Sequence, residues 1–202
     1  MLINGIAGVI FDLDKTLVSS SLNFKNIKAD VGCPEDSSIL DYIDKLPAEQ
    51  QANVTGKVIE FEIADAQESY QLPGASTLLD LLVTLDIPYA IVTRNCRDAA
   101  LMKLQKNNIS SSLLITREDH LAKPAPDALL HIAAKWKITP EKILCVGDYI
   151  YDLEAANNAN MHACLVTNGE QVEFEHLANM VVNDLNELAN YIQSGRIDDR
   201  VL

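Results

Sequence analysis

The spacing of apolar and polar positions changes several times along this chain of 202 residues. A continuous apolar run at residues 6–11 predicts a buried strand near the start. Residues 19–72 contain few such runs, and their apolar side chains recur at helical spacing, as Ile39, Ile43 and Leu46 do. This spacing, interrupted at prolines, predicts two to four short helices in that segment.

From Gly74 onward, predicted strands and helices alternate. Strands are predicted at 88–93, 113–115, 142–146 and 161–166. Helices are predicted around 78–85, over 98–107, after Asp127, over 152–158 and from Asp184 to Gly195. The strands are apolar throughout, a pattern typical of a parallel sheet covered by helices on both faces. We therefore predict an α/β fold with a doubly wound, Rossmann-like parallel sheet.

Composition and charge exclude several classes of protein. A hydrophobic content of 48% is typical of a globular protein, and no uninterrupted apolar window is long enough for a transmembrane helix. The amino terminus lacks the pattern of a secretory signal, and the four cysteines form no Cys-x-x-Cys pair, so we expect a cytoplasmic protein without zinc. The net charge of −13 argues against a nucleic-acid partner. It would also repel an anionic substrate unless a divalent cation and a few bases reversed the field locally.

Three predicted strands end in polar residues that could carry chemistry, namely Asp12, Thr93 and Asp148. In parallel sheets, ligands bind beyond the carboxyl ends of the strands, so we expect these residues to lie close together. Asp12, Asp14 and Thr16 would share one side of an extended segment. A carboxylate at the end of a buried strand is costly unless it is paired or binds a metal. The sequence therefore predicts a functional site at this edge of the sheet.

Four motifs follow one another along the chain: Asp12-x-Asp14-x-Thr16, Thr93-Arg94-Asn95, Lys123-Pro124 and Gly147-Asp148-x-x-x-Asp152. In this order they resemble the haloacid dehalogenase superfamily of aspartate-nucleophile hydrolases, over essentially the whole chain. The helical segment before Pro73 resembles the small cap of the phosphoglycolate-phosphatase-like branch. The resemblance implies a core formed by residues 1–17 and 73–202, with an inserted helical cap at residues 18–72.

The resemblance also implies a reaction, the hydrolysis of a small phosphorylated metabolite such as phosphoglycolate or a sugar phosphate. Asp12 would be the nucleophile that forms an aspartyl-phosphate. Asp14 would protonate the departing alkoxide and later take a proton from the attacking water. Mg²⁺ would be held by Asp12, Asp148 and the backbone carbonyl of Asp14.

The remaining motif residues would assist this reaction. Thr93 and Lys123 are expected to take part in catalysis and, together with Arg94 and Asn95, to bind the phosphate. Thr16 would stabilise the first loop. Asp152 would position Lys123 or a metal-bound water, unless it is only a helix N-cap.

The motif departs from the family pattern at position 15, which is commonly glycine in these phosphatases and is Lys15 here. Lysine adopts a positive φ less easily than glycine. The loop therefore either avoids that conformation or carries some strain. Alternatively, the side chain reaches the entrance of the site and attracts an anion.

Three other functions share parts of this pattern. A phosphomutase would return the phosphoryl group to a sugar hydroxyl. A metal-independent haloacid dehalogenase would use the same aspartate on carbon, but it would have no phosphate leaving group for Asp14 to protonate. A phosphoacceptor signalling module has a doubly wound sheet, a lysine and magnesium, but it lacks the Asp-x-Asp-x-Thr motif and the cap. We expect the hydrolase, as a monomer or homodimer with no membrane partner.

Overall fold

The computed structural model describes residues 5–195. Within this range one parallel sheet has the strand order β3-β2-β1-β4-β5-β6. Its strands are β1 Gly8–Phe11, β2 Tyr89–Val92, β3 Leu114–Ile115, β4 Ile143–Gly147, β5 His162–Val166 and β6 Met180–Val182. Phe11 of β1 is in register with Ile91 of β2 and Val146 of β4. The carboxyl ends of these three central strands therefore lie side by side.

Helices cover both faces of this sheet. They are α1 Phe24–Val31, α2 Ile39–Lys45, α3 Ala48–Glu68, α4 Ala75–Thr84, α5 Arg97–Lys106, α6 Asp127–Trp136, α7 Ile150–Asn158 and α8 Leu185–Ser194. Val9 and Phe11 of β1 point into a core shared with α4 and α8, whereas Ile10 points into a second core with α6 and α7. The predicted doubly wound α/β fold is thereby confirmed. The carboxyl ends of the predicted strands lie within one residue of the observed ones, whereas β1 begins two residues later than predicted.

The segment between β1 and α4 forms a separate helical layer, which we call the cap. Its helices α1 and α2 are short, as predicted, and enclose their own apolar cluster with Val58 of α3. The prediction of short helices is wrong for α3, which runs for 21 residues. The length has a packing reason, because Ala66 near its end packs against Cys96 and Ala99 of the core. This one helix therefore packs within the cap and also forms the contact between the cap and the core.

The chain leaves the core and returns to it at adjacent points. The amide of Leu72 donates to the carbonyl of Leu17 at 3.0 Å, and the amide of Ser19 donates to the carbonyl of Tyr70 at 2.8 Å. The proposed domain boundaries, after residue 17 and after residue 72, stay a prediction. Residues 1–4 and 196–202 of the proposed core lie outside the described residues. Between residues 5 and 195, no helix has both the length and the apolar character needed to cross a membrane.

Candidate active site

Three carboxylates cluster at the carboxyl edge of the central strands. Asp12 follows β1, and its amide donates to the carbonyl of Val146 in β4 at 2.8 Å. Asp148 follows β4, and Asp152 lies in the first turn of α7. Carboxylate oxygens of these three residues lie within 4.8 Å of one another. Such crowding of like charge must be balanced, either by a nearby cation or by a proton on one of the carboxyls.

Lys123 supplies part of that balance. Its ammonium donates to Asp12 Oδ1 and to Asp152 Oδ1, each at 2.5 Å, and to the carbonyl of Val92 at 2.8 Å. The side chain is 5% exposed. All three acceptors thus hold the ammonium in one place, directly beside Asp12.

Asp152 contacts Lys123, and it also takes part in capping α7, but it is not the N-cap that the sequence offered as an alternative, because that position is Tyr149. Asp152 Oδ1 accepts from Lys123, and its Oδ2 accepts from the amide of Tyr149 at 3.1 Å, as a capping residue of α7 does. Gly147 permits this arrangement, because a Cβ there would lie 2.3 Å from the Asp152 Cβ. The glycine of the fourth motif is therefore required by the close approach of α7 to the end of β4.

The loop after Asp12 is a tight turn and not the extended segment that the spacing predicted. The amides of Leu17 and Val18 both donate to the carbonyl of Leu13, at 2.9 and 3.0 Å. The turn buries Thr16 completely, and its hydroxyl donates to Asp148 Oδ1 at 3.4 Å. Thr16 therefore links the first loop to the fourth motif.

Lys15 adopts the left-handed conformation, with a φ of 54°. Its amide donates to the carbonyl of Val18, and its carbonyl accepts from the side chain of Asn168, both at 2.7 Å. These hydrogen bonds hold a conformation that costs an L-residue roughly 1–2 kcal/mol. The side chain also lines the site, where its charge partly opposes the rise in the pKa of Asp148 that burial causes. The loop thus carries the strain and places a cation at the site.

Asp14 is held at both of its carboxylate oxygens. Asn95 Nδ2 donates to Oδ2 at 2.6 Å, and Lys103 of α5 donates to Oδ1. Sequence reasoning missed Lys103. A signal was available, because Lys103 shares its helical face with the buried residues Ala99, Ala100 and Leu104. A lysine on an apolar face needs a buried anionic partner.

Thr93 and Arg94 have different surroundings. The Thr93 hydroxyl oxygen accepts from the amide and the side chain of Asn95, at 3.2 and 3.1 Å, which leaves its own proton available to another acceptor. The Arg94 guanidinium lies 4.3 Å from the ring centroid of Tyr151 and donates to the hydroxyl of Ser38 at 2.9 Å. Arg94 therefore connects the core to the cap at the wall of the site.

Burial and crowding raise the pKa of the site carboxyls. Burial, together with the charge of Asp152, raises the pKa of Asp12 to about 7, although Lys123 opposes the shift. Burial and the charges of Asp12 and Asp152 raise the pKa of Asp148 to about 8. Burial also raises the pKa of Asp14, against the attraction of Lys103. A cation brought to this cluster would favour the ionised carboxylates.

A cavity of about 280 Å³ lies between this cluster and the cap. Its floor includes Asp12, Thr93 and Asp148, and the cap contributes Ile27 and Lys28 to its wall. The volume suits a small molecule, and the acidic cluster lies at its base.

Comparison with known proteins identifies the family. Residues 9–166 match the family model described as haloacid dehalogenase-like hydrolase. An uncharacterised hydrolase of Saccharomyces cerevisiae is 32% identical over 201 residues, which covers 94% of this chain and 92% of that protein. The phosphoglycolate phosphatase of Escherichia coli is 28% identical over 131 residues, covering 62% of this chain and 52% of that protein. A hydrolase from Pseudomonas syringae of known structure has a TM-score of 0.80 at 24% identity, covering 94% and 98% of the two chains.

The chain belongs to the haloacid dehalogenase-like hydrolase family. The resemblance drawn from the four motifs is therefore confirmed, as is the prediction of a hydrolase. The likeness to phosphoglycolate phosphatases agrees with the expectation of a phosphatase. The individual roles of the site residues stay proposals.

Proposed function

We propose that this protein is a Mg²⁺-dependent phosphomonoester hydrolase that acts through an aspartyl-phosphate on Asp12. The observation that carries the proposal is the position of Asp12 at the floor of the cavity, with one oxygen 2.5 Å from the Lys123 ammonium and with Asp148 beside it. A carboxylate steadied by a fixed cation at the end of a central strand is suited to nucleophilic attack.

The first half of the reaction transfers the phosphoryl group to the protein. An Asp12 oxygen bonds to phosphorus while the bond from phosphorus to the leaving oxygen breaks. Asp14 gives its proton to that oxygen, so the alcohol leaves neutral. Thr93 donates its hydroxyl proton to a phosphoryl oxygen, and Lys123 balances the charge there.

The second half releases phosphate. A water oxygen bonds to phosphorus while Asp14 takes its proton, and the bond from phosphorus to Asp12 breaks. Inorganic phosphate leaves, Asp12 is restored as a carboxylate, and Asp14 is protonated again for the next cycle. The two halves make opposite demands on Asp14, so one group serves both.

The acidic cluster fits a magnesium ion. Both Asp152 oxygens already accept hydrogen bonds, which favours Asp12, Asp148 and the Asp14 backbone carbonyl as the ligands. Hard oxygen donors of this kind are the ones that Mg²⁺ prefers. When bound, the ion supplies positive charge that offsets the charge of the phosphate.

We further propose that the substrate is a small phosphorylated metabolite, such as phosphoglycolate or a sugar phosphate, and that the protein acts in the cytoplasm. The cavity volume and the scarcity of bases in the cap support the proposed class of substrate. Two of the four cap lysines have partners within the cap, since Lys57 pairs with Asp30 and Lys28 donates to the carbonyl of Glu35. A polyanion would find little positive charge there.

The test is a screen of small phosphomonoesters, with and without Mg²⁺, that measures released inorganic phosphate. The wild type should release phosphate only with the metal, and Asp12→Asn should release none. Asp80→Asn, a change at an exposed position of α4, is the matched control and should behave as the wild type.

Several results would contradict the proposal. Metal-independent turnover, or full activity in Asp12→Asn, would overturn the mechanism. Transfer of phosphate to a sugar hydroxyl without release would indicate a phosphomutase. A preference for polyphosphorylated substrates would refute the proposed substrate class.

A further inference from the structure

The most heavily buried cation of this site belongs to none of the four motifs. Lys103 of α5 is 0% exposed, and its ammonium donates to Asp14 and to Asp65 Oδ2, the latter at 2.7 Å. A buried ammonium is tolerated only where carboxylates or other acceptors surround it. Its two partners come from different parts of the chain, Asp14 from the catalytic loop and Asp65 from α3 of the cap.

We propose that Lys103 is a positioning residue of the reaction, which orients the Asp14 carboxylate toward the leaving oxygen and is itself held in place by Asp65. The inference rests on the proposed function, because it assigns Asp14 its two proton transfers. Lys103 is assigned no contact with the substrate, and it acts only through the Asp14 carboxylate.

The geometry at Asp14 supports an orienting role. Lys103 donates to Oδ1 and Asn95 donates to Oδ2, so the two donors fix both ends of the carboxylate. Asn95 is in turn fixed by its contact with Thr93 at 3.1 Å. Without Lys103, one end of the carboxylate would lose its donor, and the group could rotate about the remaining hydrogen bond. Small errors in the placement of a reacting group reduce rates strongly.

Asp65 is itself held in place, because its carboxylate accepts several hydrogen bonds. Besides Lys103, its carboxylate accepts from the Ser21 amide at 2.6 Å, the Ser21 hydroxyl at 3.0 Å and the Ser20 hydroxyl at 2.9 Å. Ser20 and Ser21 lie in the connection from the core to the cap. Asp65 thus connects Lys103 to the segment where the chain enters the cap. Lys103 in turn connects that segment to Asp14.

The test compares two phosphomonoesters that differ in their need for a proton. The nitrophenolate of 4-nitrophenyl phosphate departs without protonation, whereas the alkoxide of an alkyl phosphate requires a proton from Asp14. The alkyl ester is the one that the wild type hydrolyses fastest in the screen. The measured quantity is kcat/KM, which reports the phosphoryl transfer to Asp12 and not the later hydrolysis.

In Lys103→Met, kcat/KM for the alkyl ester should fall at least about tenfold more than kcat/KM for the nitrophenyl ester. A positioned acid contributes roughly 10²–10⁴-fold to the rate, and loss of its orientation should remove a part of that factor. Lys106→Met is the matched control, because Lys106 is on the same helix and also contacts α3, through the carbonyl of Gln67, but does not contact Asp14. The control should leave the ratio of the two esters unchanged. Asp65→Asn should shift the ratio in the same direction as Lys103→Met, by a smaller factor.

Equal losses on the two esters in Lys103→Met would overturn the positioning role, since a purely structural lysine would affect both alike. An unchanged ratio in Asp65→Asn would overturn the proposal that Asp65 of the cap holds Lys103 in place. If Lys103→Met does not fold, the double variant Lys103→Met/Asp65→Asn removes the cation together with one of its carboxylates. The ratio of kcat/KM on the two esters is then measured in the double variant, and equal losses on both esters would again overturn the positioning role. Absence of wild-type activity on both esters would instead refute the proposed function.

Discussion

Replacement of Asp148 by asparagine should stabilise the metal-free protein while it abolishes activity. Asp148 carboxylate oxygens lie within 4.8 Å of those of Asp12 and Asp152. Two unit charges at 4.8 Å repel by about 3.5 kcal/mol at an effective dielectric constant of 20. Lys123 and Lys15 offset part of this repulsion. We therefore expect Asp148→Asn to raise the free energy of unfolding by about 2–3 kcal/mol where Asp148 would be ionised.

The increase in the free energy of unfolding caused by Asp148→Asn should grow as the pH rises. The pKa of Asp148 is raised to about 8 in the folded protein, so the folded state keeps a proton that the unfolded chain has released. The stability of the wild type should therefore fall as the pH rises from about 4 toward 8. Asparagine does not titrate, so the advantage of the variant should be small at pH 5 and large at pH 8.

Urea denaturation at pH 5 and pH 8, in chelator, measures the effect. Asp80→Asn is the control for the loss of one exposed charge and should show no such difference. Added Mg²⁺ should stabilise the wild type at pH 8 and the variant much less, because we propose that Asp148 is one of the ligands of the ion and a ligand that binds the folded state stabilises it. An equal effect of Asp148→Asn at the two pH values, or a loss of stability at pH 8, would refute the argument from crowded charge.

Two further predictions concern backbone positions. Gly8→Ala should destabilise the protein by about 1–3 kcal/mol in urea denaturation, because the new Cβ would lie 2.8 Å from the ring of Trp136. Gly56→Ala is the control, since a Cβ there meets no described atom within 4 Å, and it should be neutral or stabilising; a similar loss in both variants would refute the steric reason. Lys15→Gly and Lys137→Gly each relieve a positive φ and should each raise stability by up to about 1 kcal/mol, but only the first should also weaken the binding of inorganic phosphate. Equal phosphate binding in the two lysine variants, measured by calorimetry with Mg²⁺, would contradict a role for the Lys15 charge.

The sheet could be predicted from the sequence because its strands are buried on both faces. Such strands appear as continuous apolar runs, and their residues indeed divide between two cores, as Val9 and Ile10 do. The length of α3 could not be predicted in the same way. Its first half packs within the cap and its second half packs on the core, so no single apolar stripe runs along it. The reason for its length is tertiary and is absent from local spacing.

The clustering of the site carboxylates could also be predicted, because parallel strands bring their carboxyl ends to one edge. The partners of the remaining site residues could not. Arg94 donates to Ser38, which lies 56 positions away in the cap, and Lys103 donates to Asp14, which lies 89 positions away. An isolated lysine in a helix is usually solvated, so the sequence offered only the position of Lys103 on a buried face as a sign of its role.

The charges gathered around the site explain why an acidic protein would need a metal to bind a phosphate. The groups that line the cavity, together with the groups connected to them through ion pairs, include six carboxylates, those of Asp12, Asp14, Glu62, Asp65, Asp148 and Asp152. They include six cations, those of Lys15, Lys28, Arg94, Lys103, Arg117 and Lys123. With every group ionised, the two sets balance, so the placed bases alone do not produce a positive field. One divalent cation would make the net charge of the site positive without any change in the fold, and the affinity for an anionic substrate would then follow the occupancy of the metal.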